Sequence, residues 1–427
     1  MQTFPLPLCQ GIRGFTVEKQ KELSKAAVYA LMRRSSALLS DEEAKAKCLV
    51  LHLRRNRFEC PHCHCKHVRT YKVRERVVQG ARMGKAFVYL VLPVHRIVCP
   101  HCGRKSHEHF PFLPSPQSRV TRALEGMILM LRKEMCISAL ARFLGVSWRI
   151  VKDIEKTALS RQYARVPLKA VRALCIDEMY VFPSAKSNRK YITIVRDADT
   201  GAVLSVTRGK GEAALKALAW RLRKAHAKIV YVCMDMSNAY SAWVQKTLPE
   251  ASIVFDPFHL IKSVNDRLDH VRRRVVRALD ERAAKAVKKR RFTILRNGED
   301  LDEKGRKELE ALRAASQELS DAYTLKEDLR RIYRTAKTAF DAMCALRHWI
   351  KMAKESDIPE MAAAGAMVER HLKGILGHWR HGATNASMEG FNGKVRWLIK
   401  QAFGFHDFKY FKLKIFDLPN TNLAARL

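Results

Sequence analysis

Val171-Arg172-Ala173-Leu174-Cys175-Ile176-Asp177-Glu178 and Lys228-Ile229-Val230-Tyr231-Val232-Cys233-Met234-Asp235 decide how this chain reads. Each is an apolar run of strand length that stops at a carboxylate. Working outward, Lys190-Tyr191-Ile192-Thr193-Ile194-Val195-Arg196-Asp197 is a second strand, and Asp199-Thr200-Gly201 turns into a third over 202–207. Residues 212–225 predict a helix with Leu215, Leu218, Leu222 and Ala225 on one face, residues 238–247 a second helix, and residues 252–255 a fifth strand.

Strand-strand-strand-helix-strand-helix-strand is the order of an RNase H-like α/β sheet, in which strands one and four lie side by side and parallel. Their carboxyl ends would bring Asp177 and Asp235 together. A third acid, Glu389, opens a periodic helix in Asn385-Ala386-Ser387-Met388-Glu389-Gly390-Phe391-Asn392, with Met388, Phe391, Val395, Leu398 and Ala402 on its core face. In the first turn the helix dipole favours an ionised carboxylate. Residues 259–380 read as long basic helices interrupting the sheet domain. Their densest clusters, Arg272-Arg273-Arg274 and Lys288-Lys289-Arg290-Arg291, read as phosphate contacts or, equally, as solvated helix faces.

Three converging acids are costly alone. Two unit charges 4 Å apart at an effective dielectric near 20 repel by about 4 kcal/mol. Two Mg²⁺ (or Mn²⁺) ions about 3.5–4 Å apart remove that cost and suit oxygen ligands, which makes Asp177, Asp235 and Glu389 a candidate catalytic metal trio. Each acid has a plain alternative: a solvated strand end for Asp177, a helix cap for Asp235, a dipole-stabilising residue for Glu389. Asp256 is the main rival for a metal position.

Composition supports a polyanionic partner. The 427 residues carry 80 Lys+Arg against 42 Asp+Glu, a formal net charge of +38, and are 47% hydrophobic, enough for two or three domains with cores. Basic residues spread along the chain predict a long contact with nucleic acid. The stretch Met1-Gln2-Thr3-Phe4-Pro5-Leu6-Pro7 is a poor signal peptide, and no apolar run approaches the roughly 20 residues that span a bilayer. A cytoplasmic, reducing compartment without membrane contact is expected, so the 11 cysteines are not read as a disulfide framework.

Cys60-Pro61-His62-Cys63 and Cys99-Pro100-His101-Cys102 repeat one unit. Four thiolates satisfy a tetrahedral structural Zn²⁺ and leave no open position for catalysis. The extended segments 68–77 and 86–98 between them predict the hairpin of a zinc ribbon; Cys65, His62, His64 and His101 are substitute ligands. After the proline-rich residues 111–116, residues 120–154 predict a helix-turn-helix, with Gly145 in the left-handed turn and Ser147 capping the second helix. Trp148, Arg149, Lys152 and Lys156 would then face the major groove. An ordinary packed helix pair is the plain alternative.

The segments Ile176-Asp177-Glu178, Met234-Asp235-Met236-Ser237-Asn238-Ala239-Tyr240, Asp256-Pro257-Phe258-His259-Leu260, Met388-Glu389-Gly390-Phe391-Asn392 and Lys400-Gln401-Ala402-Phe403-Gly404 together resemble the DDE transposases of bacterial insertion sequences, most closely the ISL-three family. The resemblance covers nearly the whole chain. It implies Asp177, Asp235 and Glu389 as the catalytic trio, and Asp256 with His259 as active-site support. The expected organisation is an N-terminal helical segment (1–50), a zinc ribbon (51–112), a helix-turn-helix (113–165), an RNase H-like core (170–260), a basic helical insertion (261–380) and a core helix bearing the third acid (381–427). The implied activity is binding of inverted-repeat ends followed by cleavage and strand transfer, by a dimer or higher oligomer on double-stranded element and target DNA, in the bacterial cytoplasm at the nucleoid. Arg272, Arg273, Lys394, Arg396 and Lys400 are further candidate DNA contacts. The rival readings are a zinc and helix-turn-helix regulator derived from a transposase, and a nuclease of the same fold without strand transfer.

Overall fold

The computed structural model describes residues 12, 14–33, 39–183, 190–279, 284, 287 and 290–420. The stretch 1–7, Cys9, Lys288, Lys289 and residues 421–427 lie outside them. The chain divides into two units, the first running to Ala164 and the second spanning Arg165–Pro419.

In the first unit β1 (Phe15–Ser24) pairs antiparallel with β2 (Lys47–Arg55), around α1 (Lys25–Leu31) and α2 (Asp41–Lys45). β3 (Arg69–Gln79) pairs antiparallel with β4 (Phe87–Val98), which runs parallel to β2 and also holds β5 (Lys105–His107), giving the order β1-β2-β4-β3. β2 and β4 are buried on both faces: Leu49, Leu51, Leu53, Leu90 and Leu92 enter one core, and Cys48, Val50, Tyr89 and Val91 the other. That is why both read as nearly unbroken apolar runs. The expected helical segment over 1–50 is corrected here. Phe15–Ser24 is a strand because its backbone is satisfied by the apolar β2, a long-range partner that overrides a weak local pattern.

Three helices follow: α3 (Arg122–Leu131), α4 (Ile137–Leu144) and α5 (Trp148–Gln162). They share a core of Leu124, Ile128, Leu140, Leu144 and Val151. Gly145 ends α4 at φ 68, and the Ile150 N–H donates to the Ser147 hydroxyl at 3.4 Å. Gly145 has a second reason to lack a side chain: a Cβ there would lie 2.6 Å from the Phe87 ring. The Gln79 amide donates to the Leu144 carbonyl at 2.8 Å, tying these helices to the sheet.

The second unit is built on β6 (Ala173–Tyr180), β7 (Tyr191–Asp197), β8 (Val203–Arg208), β9 (Tyr231–Met234) and β10 (Ser252–Phe255), in the order β10-β9-β6-β7-β8. β6, β7 and β8 are antiparallel neighbours, whereas β9 and β10 run parallel to β6. α6 (Glu212–Lys224) and α7 (Asn238–Thr247) cover the sheet with Leu215, Leu218, Leu222, Trp243 and Val244. Between β10 and the last sheet helix lie α8 (Pro257–Ala278), α9 (Arg291–Leu295), α10 (Glu303–Ala315), α11 (Gln317–Thr335), α12 (Ala339–Glu355), α13 (Pro359–Ile375) and α14 (Gly377–His381). α8 packs on α11 and α13, and their buried side chains join the sheet core. α15 (Ala386–Gln401) packs on β6 and α16 (Phe408–Asp417) on β8. No helix of the described residues is long and apolar enough to cross a membrane.

Candidate active site

Register explains how two acids 58 residues apart in sequence meet. Cys175 on β6 faces Cys233 on β9, the last rung of a parallel ladder. Side chains repeat every second residue along a strand, so Asp177 and Asp235 follow two positions later on the same face. The next strand adds a third acid: Phe255 faces Met234, and the Asp256 N–H donates to the Met234 carbonyl at 3.0 Å. Asp256 is the N-cap residue of α8, which places His259 in the first turn with Nε2 3.9 Å from Asp256 Oδ2. Glu389 comes from the first turn of α15.

The four carboxylates share one field. Burial raises the Asp177, Asp235 and Asp256 carboxyls above the ordinary aspartate value, and Asp177 and Asp256 push up Asp235 further. Burial, then Asp256 and Asp177, also raise Glu389, while His259 and Lys262 oppose the shift. Ligand atoms of Asp256, His259 and Glu389 lie within 4.8 Å of one another; Asp177 and Asp235 border this group without belonging to it. Asp177 is otherwise engaged: Oδ1 accepts the Glu178 N–H at 2.7 Å and Oδ2 accepts the Asn392 amide at 2.5 Å. Asp235 accepts the Ser237 N–H at 3.3 Å.

Several buried oxygens nearby have spare capacity. Asp256 Oδ2, Asn392 Oδ1 and the Asn385 side-chain amide have no hydrogen-bond partner among the described residues. Unpaired buried polar atoms are costly and rare, and the free Asp256 and Asn392 oxygens beside desolvated carboxylates could take a cation or its waters. The hard oxygen donors suit magnesium or manganese.

Residues that the sequence reading assigned no role hold this arrangement. Asn392 lies three residues after Glu389 and reaches Asp177 from the same face of α15. Arg196 is buried, donates to the Ser387 carbonyl at 2.8 Å, and lies 4.3 Å from the Phe391 ring centroid, fixing the start of α15 against β7. Tyr240, whose hydroxyl lies 3.2 Å from that of Thr193, donates to Glu178 at 3.2 Å; burial raises Glu178, and Asp235 and Asp177 add to the shift, so it borders the acid group. A polar residue between the apolar positions of α15 is the one sequence signal that marks Asn392.

The second metal-type group stands in the first unit. Cys60, Cys63, Cys99 and Cys102 have sulfurs within 4.8 Å of one another, with Cys60–Cys102 and Cys63–Cys99 both 3.6 Å apart. A tetrahedron with Zn–S bonds of about 2.3 Å has edges of about 3.8 Å, so the four thiols are compatible with zinc. The backbone N–H groups of Cys63 and His62 lower the Cys60 thiol, whereas, against the Cys65 N–H, burial and the neighbouring sulfurs raise Cys63; a bound metal would hold all four as thiolates. Cys65 instead donates to the His67 carbonyl, and His62 meets Arg104.

The basic candidates divide. Trp148 is 52% exposed and Arg149 stacks on it at the start of α5, whereas Lys152 and Lys156 are half-buried. Lys394, Arg396 and Lys400 are exposed on α15. Arg272 is corrected: it is buried and donates to Asp269 at 2.9 Å, so it belongs to an internal ion pair. Arg273 donates to the same carboxylate at 2.9 Å but keeps half its side chain exposed.

A strongly basic chain with acids gathered just past the last rung of the β6–β9 ladder has the chemistry of phosphoryl transfer on nucleic acid. Comparison with known proteins gives the family. A transposase family model matches residues 174–415, more than half the chain, and the chain belongs to the ISL-three family of insertion-sequence transposases. It is 29% identical over 360 residues to the transposase for insertion sequence element IS1001 of Bordetella parapertussis, covering 83% of this chain and 87% of that one. It is 27% identical over 310 residues to the transposase for IS1557 of Mycobacterium tuberculosis, covering 67% and 68%. Against the Drosophila P element transposase strand transfer complex the TM-score is 0.39 at 12% identity, over 73% of this chain and 96% of that one, too low a likeness to carry the fold.

Proposed function

We propose that this chain binds the inverted-repeat ends of its element, cleaves them with a divalent cation, and joins the freed 3′ end to target DNA. The observation that carries the reading is the meeting of Asp177, Asp235, Asp256 and Glu389 from four separate elements in one electrostatic field. The strand order β10-β9-β6-β7-β8 supports reading the sheet as RNase H-like, with the helices of 257–381 as an insertion ahead of the glutamate. Asp177, Asp235 and Glu389 would hold magnesium or manganese, with Asp256 and His259 extending the donor set. The bound cation would supply Lewis acidity for an in-line transfer to water or a 3′-hydroxyl.

The chain's own residues prepare that chemistry. Asn392 holds one Asp177 oxygen and the Glu178 N–H the other, so the carboxylate cannot rotate away. Arg196 anchors the helix that supplies Glu389. Lys394, Arg396 and Lys400 would neutralise phosphates along α15. In the first unit, Cys60, Cys63, Cys99 and Cys102 would hold a structural zinc, and Trp148 and Arg149 would read DNA. Two ends must be paired before joining, so an oligomer on DNA is expected.

The test uses the purified chain, duplex DNA carrying the inverted repeat, and Mg²⁺. Cleavage and joining are expected, with a loss of about 10²–10³-fold in Asp177→Asn and in Asp235→Asn, the scale seen when a principal charge-stabilising group is removed. Nicking that survives both substitutions would falsify the assignment. Cleavage without joining would favour the nuclease reading, and metal-independent binding without cleavage the regulator.

A further inference from the structure

α15 carries a row of residues that extends well beyond the acid cluster. At 3.6 residues per turn, Glu389, Gly393, Arg396 and Lys400 fall on one side of α15, and Phe403 stands just past its end at Gln401. Gly393, Arg396 and Lys400 are exposed, and a Cβ built on Gly393 would meet nothing within 4 Å. Arg396 is close enough to lower the Asp177 carboxyl. The row therefore runs from the acids across open backbone and two cations to Phe403.

Phe403 is 100% exposed, more than any other large apolar side chain among the described residues. Its backbone is nonetheless fixed. The Phe403 N–H donates to the Lys400 carbonyl at 3.1 Å and the Gly404 N–H to the Ile399 carbonyl at 3.0 Å, the paired bonds of a Schellman helix end. The residue just past such an end adopts the left-handed conformation and is normally glycine; here it is Phe403, at φ 51. A phenylalanine there bears left-handed strain and contributes no burial to the fold. Its merit is presentation: a bare ring, on rigid backbone, at the end of a cationic row. Rings presented in this way stack on nucleic-acid bases or wedge between them.

We propose that Phe403 stacks on an unpaired base of DNA lying along α15. This rests on the DNA-processing reading of the neighbouring acids. From Glu389 to the helix end at Gln401 the axis rises about 18 Å, with Phe403 two residues beyond, so the stacked base lies about five base steps or slightly more from the phosphate at the acids.

The experiment measures binding without divalent cation, by fluorescence anisotropy, to a paired duplex and to the same duplex with a central pair of mismatches. The unaltered chain should prefer the mismatched duplex by about tenfold, the worth of one base–aromatic stack. Phe403→Ala should lose that preference, and Phe403→Trp should keep it. Phe403→Gly should also lose it while its Tm rises, because glycine relieves the left-handed strain. No preference in the unaltered chain, a preference retained by Phe403→Ala, or a Tm that falls in Phe403→Gly would each overturn the proposal. So would weaker self-association in Phe403→Ala with DNA preference intact, which assigns the ring to a protein contact. Cleavage is scored separately: its absence with the mismatch preference present sinks the transposition reading alone, and the reverse result sinks the stacking alone.

Discussion

The cysteine group of the first unit and the acid group of the second solve opposite problems. Four thiols within 4.8 Å come from two tight turns, each supplying a pair through local spacing. Once metallated they are complete, and a filled tetrahedron admits no substrate. The acids come from β6, β9, the start of α8 and the start of α15, and no two of them share a turn. They are held close enough to raise one another, with neighbouring buried oxygens still unpartnered. Filled with zinc, the closed group would stabilise the fold; the open one opposes it locally through the mutual repulsion of its acids and would leave coordination free for chemistry.

The largest expected effect tests the closed site. Structural zinc contributes an apparent ~10–16 kcal/mol in small zinc-dependent domains, as much as the whole net stability of many proteins. Cys60→Ser combined with Cys99→Ser should abolish binding of one zinc per chain and give a separate low-temperature melting transition. Elemental analysis with circular dichroism checks both, and an unchanged melt without zinc would break the comparison.

The open site should respond in the reverse sense. Asp177, Asp235, Asp256 and Glu389 all have raised folded values, so the folded state holds these protons more tightly than the unfolded chain. Their ionisation costs stability above the raised values, and that cost is relieved as pH falls through them towards the ordinary carboxylate range. Asp269 opposes the trend. Despite its burial, Arg272 and Arg273 hold it below the ordinary value, so its contribution persists above that value and is lost only at still lower pH. Metal-free protein should therefore gain Tm on mild acidification. Saturating Mg²⁺ should add about 2.7 kcal/mol at a hundredfold excess over its Kd and flatten the pH dependence. A Tm indifferent to Mg²⁺ at neutral pH would contradict a cation site.

Asn392→Ala sharpens the same contrast on a smaller scale. Losing a residue that orients a ligand typically costs about 10–100-fold in metal affinity or activity. The expected result is a Mg²⁺ requirement shifted upward with the fold's Tm little changed. An unaltered Mg²⁺ titration would mean that the bond to Asp177 is incidental.

The two sites also differ in how far they can be read from sequence. Both cysteine pairs lie within a few residues, so spacing and residue type suffice. Asp177 and Asp235 are legible because an apolar run ending in an acid has a strand's direction, and the element order limits which ends can be neighbours. The partner of Asn392 was not legible: the residue stands in the Met388–Asn392 motif, but a polar side chain on a helix gives no sign that a strand 215 residues earlier lies opposite. Arg272 misled because a basic triplet looks the same whether it faces solvent or a buried Asp269. Phe15–Ser24 misled because its strand state depends on β2.

By itself, the sequence determined charge, the cysteine knuckles, the strand-and-helix order of the second unit, and the candidate acids; β6 runs three residues past Asp177 to Tyr180. These follow from period, composition and short-range spacing, which the chain carries locally. Tertiary structure decided which acids share a field, that Asp256 and His259 stand closest to Glu389, which arginines are spent internally, and that Phe403 projects bare from a rigid helix end. Those outcomes depend on strand register and on how segments pack, where a small change in approach decides whether a side chain is a partner, a ligand or surface.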